Sequence, residues 1–155
     1  MFALGAVTVQ EFFAQLYAHA DLVAEPAFGG RSMTGHFATR LLKTDGRWKS
    51  QIELYNSSAD LSPTVAQMPR LVDLAYASKL YRQIPKLQAV AGGFSNNGDE
   101  VAFGTIGNAS CVEGMFWESV NAVGVLQVPI LLSIWDDGYG ISLPSEFQMT
   151  KGSIS

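Results

Sequence analysis

Residues 100–143 read EVAFGTIGNASCVEGMFWESVNAVGVLQVPILLSIWDDGYGISL. Val101 to Ile106 is a short apolar, β-branched run suited to a buried parallel strand. Gly107 allows a sharp turn and a close ligand approach. A helix is expected from about Ser110 to Val125, and a second strand from Val128 to Ile134. Two oxygen-bearing turns follow the two strands: Gly107-Asn108-Ala109-Ser110 and Asp136-Asp137-Gly138-Tyr139. In a parallel βαβ unit both turns leave the same edge of the sheet, where open α/β sheets bind ligands. The expected class is α/β with a mostly parallel sheet.

The edge has a chemistry of its own. A helix opening near Ser110 would aim its free N–H groups at an anion over Gly107 to Ser110, and phosphate is the common occupant of such a place. Asn108, Asp137 and a nearby main-chain carbonyl are hard oxygen donors of the kind Mg²⁺ or Ca²⁺ takes, with phosphate oxygens completing the shell. A divalent ion bridging protein and diphosphate is the reading. Its rivals are that Asn108 is an ordinary helix N-cap and that Asp136-Asp137-Gly138 is an ordinary surface turn.

Composition agrees with a buried sheet. Of 155 residues 48% are apolar and 15% charged, which leaves apolar surface for a partner to cover. The net charge of −4 argues against nucleic acid as a partner. No apolar run reaches membrane-spanning length. Cys111 is the single cysteine, so a reducing, cytoplasmic setting is expected. The start, MFALGAVTVQEF, lacks a signal-peptide shape. Both ends are abrupt, and a fragment is expected.

Outward from the centre, Thr8 to Glu11 has capping-box spacing. Phe12, Phe13, Leu16 and Tyr17 continue it as a helix to about Ala20. Residues 25–39 hold Pro26, Gly29, Gly30 and Gly35 and form a loop, with Arg31 and His36 as candidate functional groups. Arg31 could equally pair with Glu25 or Asp21, and His36 could be structural. Short strands are expected within 41–54. Residues 64–83 read as a helix, with Pro69 in its first turn and Leu71, Leu74, Ala75, Ala77 and Ser78 along a packing side. Residues 84–99 read as a turn before the central strand. Met115, Phe116, Trp117 and Val120 are expected to pack the helix or a subunit contact, and Cys111 to be a buried thiol.

At these positions the chain resembles the α subunit of the thiamine-diphosphate-dependent 2-oxo acid dehydrogenases, over nearly its whole length. The family's Gly-Asp-Gly/Ala turn and following helix are similar to Gly107-Asn108-Ala109-Ser110-Cys111-Val112-Glu113-Gly114. Its Asn-Asn-x-Tyr-Gly-Ile-Ser is similar to Asp136-Asp137-Gly138-Tyr139-Gly140-Ile141-Ser142. Its Ala-Gln-x-Pro helix resembles Ala66-Gln67-Met68-Pro69 with Ala75, Ala77, Lys79, Tyr81 and Arg82. Its Gly-Gly-Arg…Ser-Met-His loop resembles Gly29-Gly30-Arg31 with His36. Two departures stand out. Asn108 occupies the place of the metal-binding aspartate, and Asp137 that of the metal-binding asparagine. Asp73 also replaces a helix glycine.

The resemblance implies a three-layer thiamine-diphosphate-binding fold, a mostly parallel sheet with helices on both faces, incomplete at both ends. Residues 1–155 would be one partial domain with an active-site loop at 25–39. It implies thiamine diphosphate and Mg²⁺ as cofactors. Asn108, Asp137 and the Tyr139 carbonyl would hold the metal. Gly107, Asn108, Ala109 and Ser110 would face the diphosphate. Thr64, Val65 and Gln67 would line the aminopyrimidine side. Arg31 would face the substrate channel, with His36 as the catalytic candidate.

The implied activity is oxidative decarboxylation of a 2-oxo acid, pyruvate or branched-chain, with the acyl group passed to a lipoyl-bearing acyltransferase. The implied partner is a β subunit or β half, in a heterotetramer. The family's Tyr-Arg pair, its downstream histidine loop and the glutamate of its β part are not in the chain, so alone it is expected to be inactive. Two other readings stay open: a non-catalytic α/β assembly domain, and a transketolase-like thiamine-diphosphate enzyme. Neither nucleic acid nor membrane is expected as a partner.

Overall fold

Thr8 shows how closely local chemistry shapes this chain. In the computed structural model, which describes residues 1–90, 92–152 and 154, its hydroxyl accepts the Glu11 N–H at 3.2 Å while the Glu11 carboxylate accepts the Thr8 N–H at 2.7 Å. Both halves of the capping box are therefore made, and helix α1 (Val9–Leu16) follows. The helix ends four residues before Ala20. Ala18 turns left-handed at φ 53° and carries the chain off the helix axis. Residues of the terminal TKGSIS, Ser153 and Ser155, lie outside the described set, as does Ala91.

The chain divides into two compact units, residues 1–61 and 62–155. The first holds α1, the glycine-rich loop and an irregular segment. Residues 25–39 contain no helix or strand, in agreement with the sequence reading. Within 41–54 the expected strands reduce to one antiparallel bridge, Leu42 to Trp48. It closes over a turn in which the Lys43 N–H meets the Arg47 carbonyl at 2.8 Å.

The second unit is built on the stretch quoted first. Strands β1 (Ala102–Gly107) and β2 (Ile130–Trp135) pair in parallel, from Ala102 opposite Ile130 to Gly107 opposite Trp135. A tight hairpin of β3 (Tyr139–Gly140) and β4 (Leu143–Pro144) follows. Helix α2 (Gln67–Gln83) lies against both long strands and carries Pro69 in its first turn. It buries Met68, Val72, Ala75 and Ser78. Leu74, expected on that side, is half exposed. Gly104 lets α2 come close to β1, since a Cβ there would sit 2.6 Å from Leu71 Cδ2. Helix α3 (Pro85–Val90) occupies part of what reads as a turn, with Pro85 at its first position.

Helix α4 spans Gly114–Leu126, not Ser110 onward. A 3₁₀ helix, Asn108–Val112, comes first. Extended Glu113, at ψ 140°, separates the two. The core gathers Val65, Met68, Cys111 and Phe116, with Leu71, Ile106, Leu132 and Ile154 packed around them.

The observed fold is thus mixed α/β with a small parallel sheet. Among the described residues neither sheet exceeds two strands. Burial alternates along β1, so the fully buried strand expected there is only half-buried, with Phe103 on β1 and Leu131 on β2 each 59% exposed. Among the described residues no helix is long and apolar enough to cross a membrane.

Candidate functional site

The strand register builds the site edge. Because Gly107 and Trp135 are partners, Asn108 and Asp136 leave the sheet side by side. The two turns named from sequence therefore share one edge. They also touch: a Cβ on Gly140 would lie 2.6 Å from the Ala109 side chain, so the second turn rests on the first.

Asn108 is 2% exposed. Its Nδ2 donates to Ser145 Oγ at 2.8 Å. The N-cap rival fails here, because Gly107 caps the 3₁₀ helix and no side chain bonds into its first turn. The bond to Ser145 uses the nitrogen end of the amide and leaves the oxygen end for a cation. The start of α4 at Gly114 corrects the anion reading. N–H groups over Gly107 to Ser110 belong to the 3₁₀ turn and not to the end of a long helix.

The acidic turn is exposed and self-bonded. Asp136 accepts the Gly138 N–H at 2.9 Å and Asp137 accepts the Tyr139 N–H at 3.0 Å. Each bond engages one carboxylate oxygen, so the other remains for a ligand. This local turn chemistry is compatible with the surface-turn rival as well as with a metal site. Two bonds beyond it tie the region together. The Ser145 N–H donates to the Gly138 carbonyl at 2.9 Å, and Gln148 Nε2 donates to the Leu143 carbonyl at 2.6 Å.

Cys111 is buried, with Sγ 3.4 Å from the Gly107 carbonyl. Burial, reinforced by the charge of Asp136, pushes its thiol up to about 11. That is the opposite of an activated nucleophile and agrees with the expected inert thiol.

Val65 joins this region from α2's approach. It packs in the same core cluster as Cys111 and holds φ at 68°. A β-branched residue there is strained, and such strain gathers at ligand sites. Thr64 and Gln67 on either side are exposed.

Arg31 and His36 lie in the first unit. Arg31 is exposed and donates to the Phe28 carbonyl at 3.4 Å. The rival reading, a surface pair with Glu25 or Asp21, is not formed among the described residues. Glu25 is buried and accepts the N–H groups of Ala27, Phe28 and Gly30 at 2.9 to 3.0 Å. The His36 carbonyl accepts Gln15 Nε2, and Gln15 Oε1 accepts the Gly35 N–H at 2.7 Å. Sequence reading missed Gln15 and Ser145. Neither carries a motif signal, since each acts through a contact 20 or more residues away in the chain.

Among the described residues no group of three or more His, Cys, Asp or Glu side chains is placed to hold a metal. The edge instead carries the Asn108 amide and the Asp136 and Asp137 carboxylates, with neutral and charged oxygens mixed. That set suits Mg²⁺, which takes few protein carboxylates and leans on phosphate oxygens and water.

A family profile described as dehydrogenase E1 component matches residues 2–155. The 2-oxoisovalerate dehydrogenase subunit alpha of Bacillus subtilis (strain 168) is 29% identical over 132 residues. The match covers 85% of this chain and 32% of that relative, so the chain spans about a third of the relative's length.

Proposed function

The chain belongs to the dehydrogenase E1 component family, and from that premise we propose that it forms the thiamine-diphosphate- and Mg²⁺-binding part of a 2-oxo acid dehydrogenase. The parallel register carries the reading, because it sets buried Asn108 beside the acidic turn at the carboxyl edge of the strands. Asn108, Asp137 and the Tyr139 carbonyl hold the metal. Main-chain groups of Gly107, Ala109 and Ser110 face the diphosphate. Thr64, strained Val65 and Gln67 take the aminopyrimidine side. Arg31 and His36 serve the substrate.

Thiamine diphosphate, when bound, supplies an acidic thiazolium carbon and an electron sink for decarboxylation, while the protein binds and orients it. The finer fold on this proposal is the three-layer family architecture, of which residues 1–155 are one partial domain. A β subunit or β half completes the site in a cytoplasmic heterotetramer, and a lipoyl-bearing acyltransferase receives the acyl group. Because the relative in Bacillus subtilis is named for 2-oxoisovalerate, a branched-chain 2-oxo acid is the first substrate to test, beside pyruvate.

Calorimetry on the full α–β assembly tests the reading. Thiamine diphosphate should bind only with Mg²⁺, and Asp137→Ala should weaken that binding at least about tenfold, a loss of roughly 1.4 kcal/mol. Binding that ignores Asp137→Ala, or no binding by the wild-type assembly, would overturn it and favour the assembly-domain alternative.

A further inference from the structure

Ser145 is the residue that bonds to both turns of the edge. Its hydroxyl accepts from the Asn108 amide at 2.8 Å, and its N–H donates to the Gly138 carbonyl at 2.9 Å. Asn108 and Ser145 are both buried, at 2% and 8% exposure, so water does not compete freely for the bond between them. Ser145 also opens the 3₁₀ helix Ser145–Phe147, whose next residues hold it in place: the Gln148 and Met149 N–H groups donate to its carbonyl at 2.9 and 3.0 Å.

An Asn side chain presents either its oxygen or its nitrogen to a ligand, and an aspartate at this position would need no such choice. With Asn108 in place, a neighbour that bonds the nitrogen end holds the amide ready for a cation at the oxygen end. The Ser145 hydroxyl, which can donate or accept, here accepts from Nδ2, the pairing that leaves Oδ1 as the free end of the amide. We propose that Ser145 is a positioning residue for the metal site: its hydroxyl holds the Asn108 amide, through Nδ2, in the orientation that leaves the oxygen for the cation. The same residue fixes the distance from Asn108 to the acidic turn through its main-chain bond to Gly138. This inference rests on the Mg²⁺ reading above. A partner one step behind a metal ligand commonly changes metal affinity 10–100-fold.

The test uses the full α–β assembly with three variants: Ser145→Ala, Ser145→Thr and Ser145→Cys. All keep the main-chain bond to Gly138, so they isolate the hydroxyl. Mg²⁺ is titrated at fixed thiamine diphosphate by calorimetry, and Mn²⁺ is titrated separately with the bound ion followed by electron paramagnetic resonance. Ser145→Ala should raise the half-saturating Mg²⁺ concentration about 10–100-fold and change the Mn²⁺ spectrum. Ser145→Thr, which keeps the acceptor oxygen, should restore both. Should Ser145→Ala fail to fold, Ser145→Cys carries the same expectation, since sulfur is a weak acceptor of similar size. Wild-type Mg²⁺ affinity in the folded alanine or cysteine variant would overturn the proposal. So would equal weakening in the alanine and threonine variants, which would mark a merely structural role. A wild-type assembly that binds no Mg²⁺ overturns the metal reading itself, a result distinct from either of these.

Discussion

At the scale of single residues, the exchange of Asn108 and Asp137 relative to the resembled family is the sharpest feature. The two positions together still offer one carboxylate and one amide, with the charge moved to the exposed turn. Swapping them back tests whether the pair acts as a unit. Asn108→Asp combined with Asp137→Asn should keep Mg²⁺-dependent cofactor binding within about tenfold of wild type, a change below roughly 1.4 kcal/mol. Asn108→Asp alone should gain a buried charge beside the Asp136 side of the edge, and Asn108→Ala should lose binding. A double variant no better than Asn108→Ala in calorimetry would show that the positions are not interchangeable donors. Cys111 gives a second residue-scale outcome. Its folded thiol titrates near 11 against an ordinary value of 9.0. Between those two pH values the unfolded chain has released the proton that the folded chain still holds. Stability therefore falls as pH rises from about 9 through about 11. Alkylation by iodoacetamide in the folded assembly should stay slow at pH 8 to 9, read by mass spectrometry, and fast labelling there would refute the buried-thiol geometry.

Elements are where the sequence was most and least legible. The α2–β1 contact turns on one hydrogen atom: Gly104 has no Cβ, and Leu71 fills the space one would take. Gly104→Ala should cost about 1–3 kcal/mol by overpacking. Leu71→Ala in the same chain should recover part of that loss, as measured by urea unfolding of the full-length protein. Equal stability of Gly104→Ala and wild type would mean that the Leu71 side chain moves aside and that the contact does not require a glycine. The capping box of Thr8 and Glu11, the first-turn Pro69 and the two strands were readable because each depends on neighbours within a few residues. The boundary of α4 was not. Residues 108–112 have no residue that forbids an α-helix, and the break lies in the backbone angle at Glu113. Helix α3 falls within residues 84–99, which read as a turn, although Pro85 stands at a first helical position where proline is favoured. Of the proposed site, the common edge of the two oxygen-bearing turns was legible from residue type and order. Ser145 and Gln15 were not, because their partners are set by tertiary contact. Gln15 shows the consequence for the glycine-rich loop: its amide grips the main chain on both sides, at the Gly35 N–H and the His36 carbonyl.

For the molecule as a whole, the question is what the exposed apolar surface is for. With 48% apolar and 15% charged residues, the chain has few groups with which to cover itself. In the second unit Phe103 and Leu131 lie bare on the strands, and Trp117 on α4 and Trp135 at the end of β2 are more than half exposed. Large apolar side chains exposed on both sheet and helix are of the kind that partner surfaces cover. A half-covered two-stranded sheet also has free edges that favour association. Both features fit a chain that is stable only as part of a larger body, as the proposed α–β assembly requires. Residues 1–155 produced alone should therefore form polydisperse associates at micromolar concentration. Co-production of the full protein with its β part should give one species of fixed mass by size exclusion with light scattering. The associates formed alone should also bind a hydrophobic dye that the assembly does not. A chain that is monodisperse, monomeric and dye-silent by itself would show that these faces need no partner, and would move the balance toward an independent α/β domain.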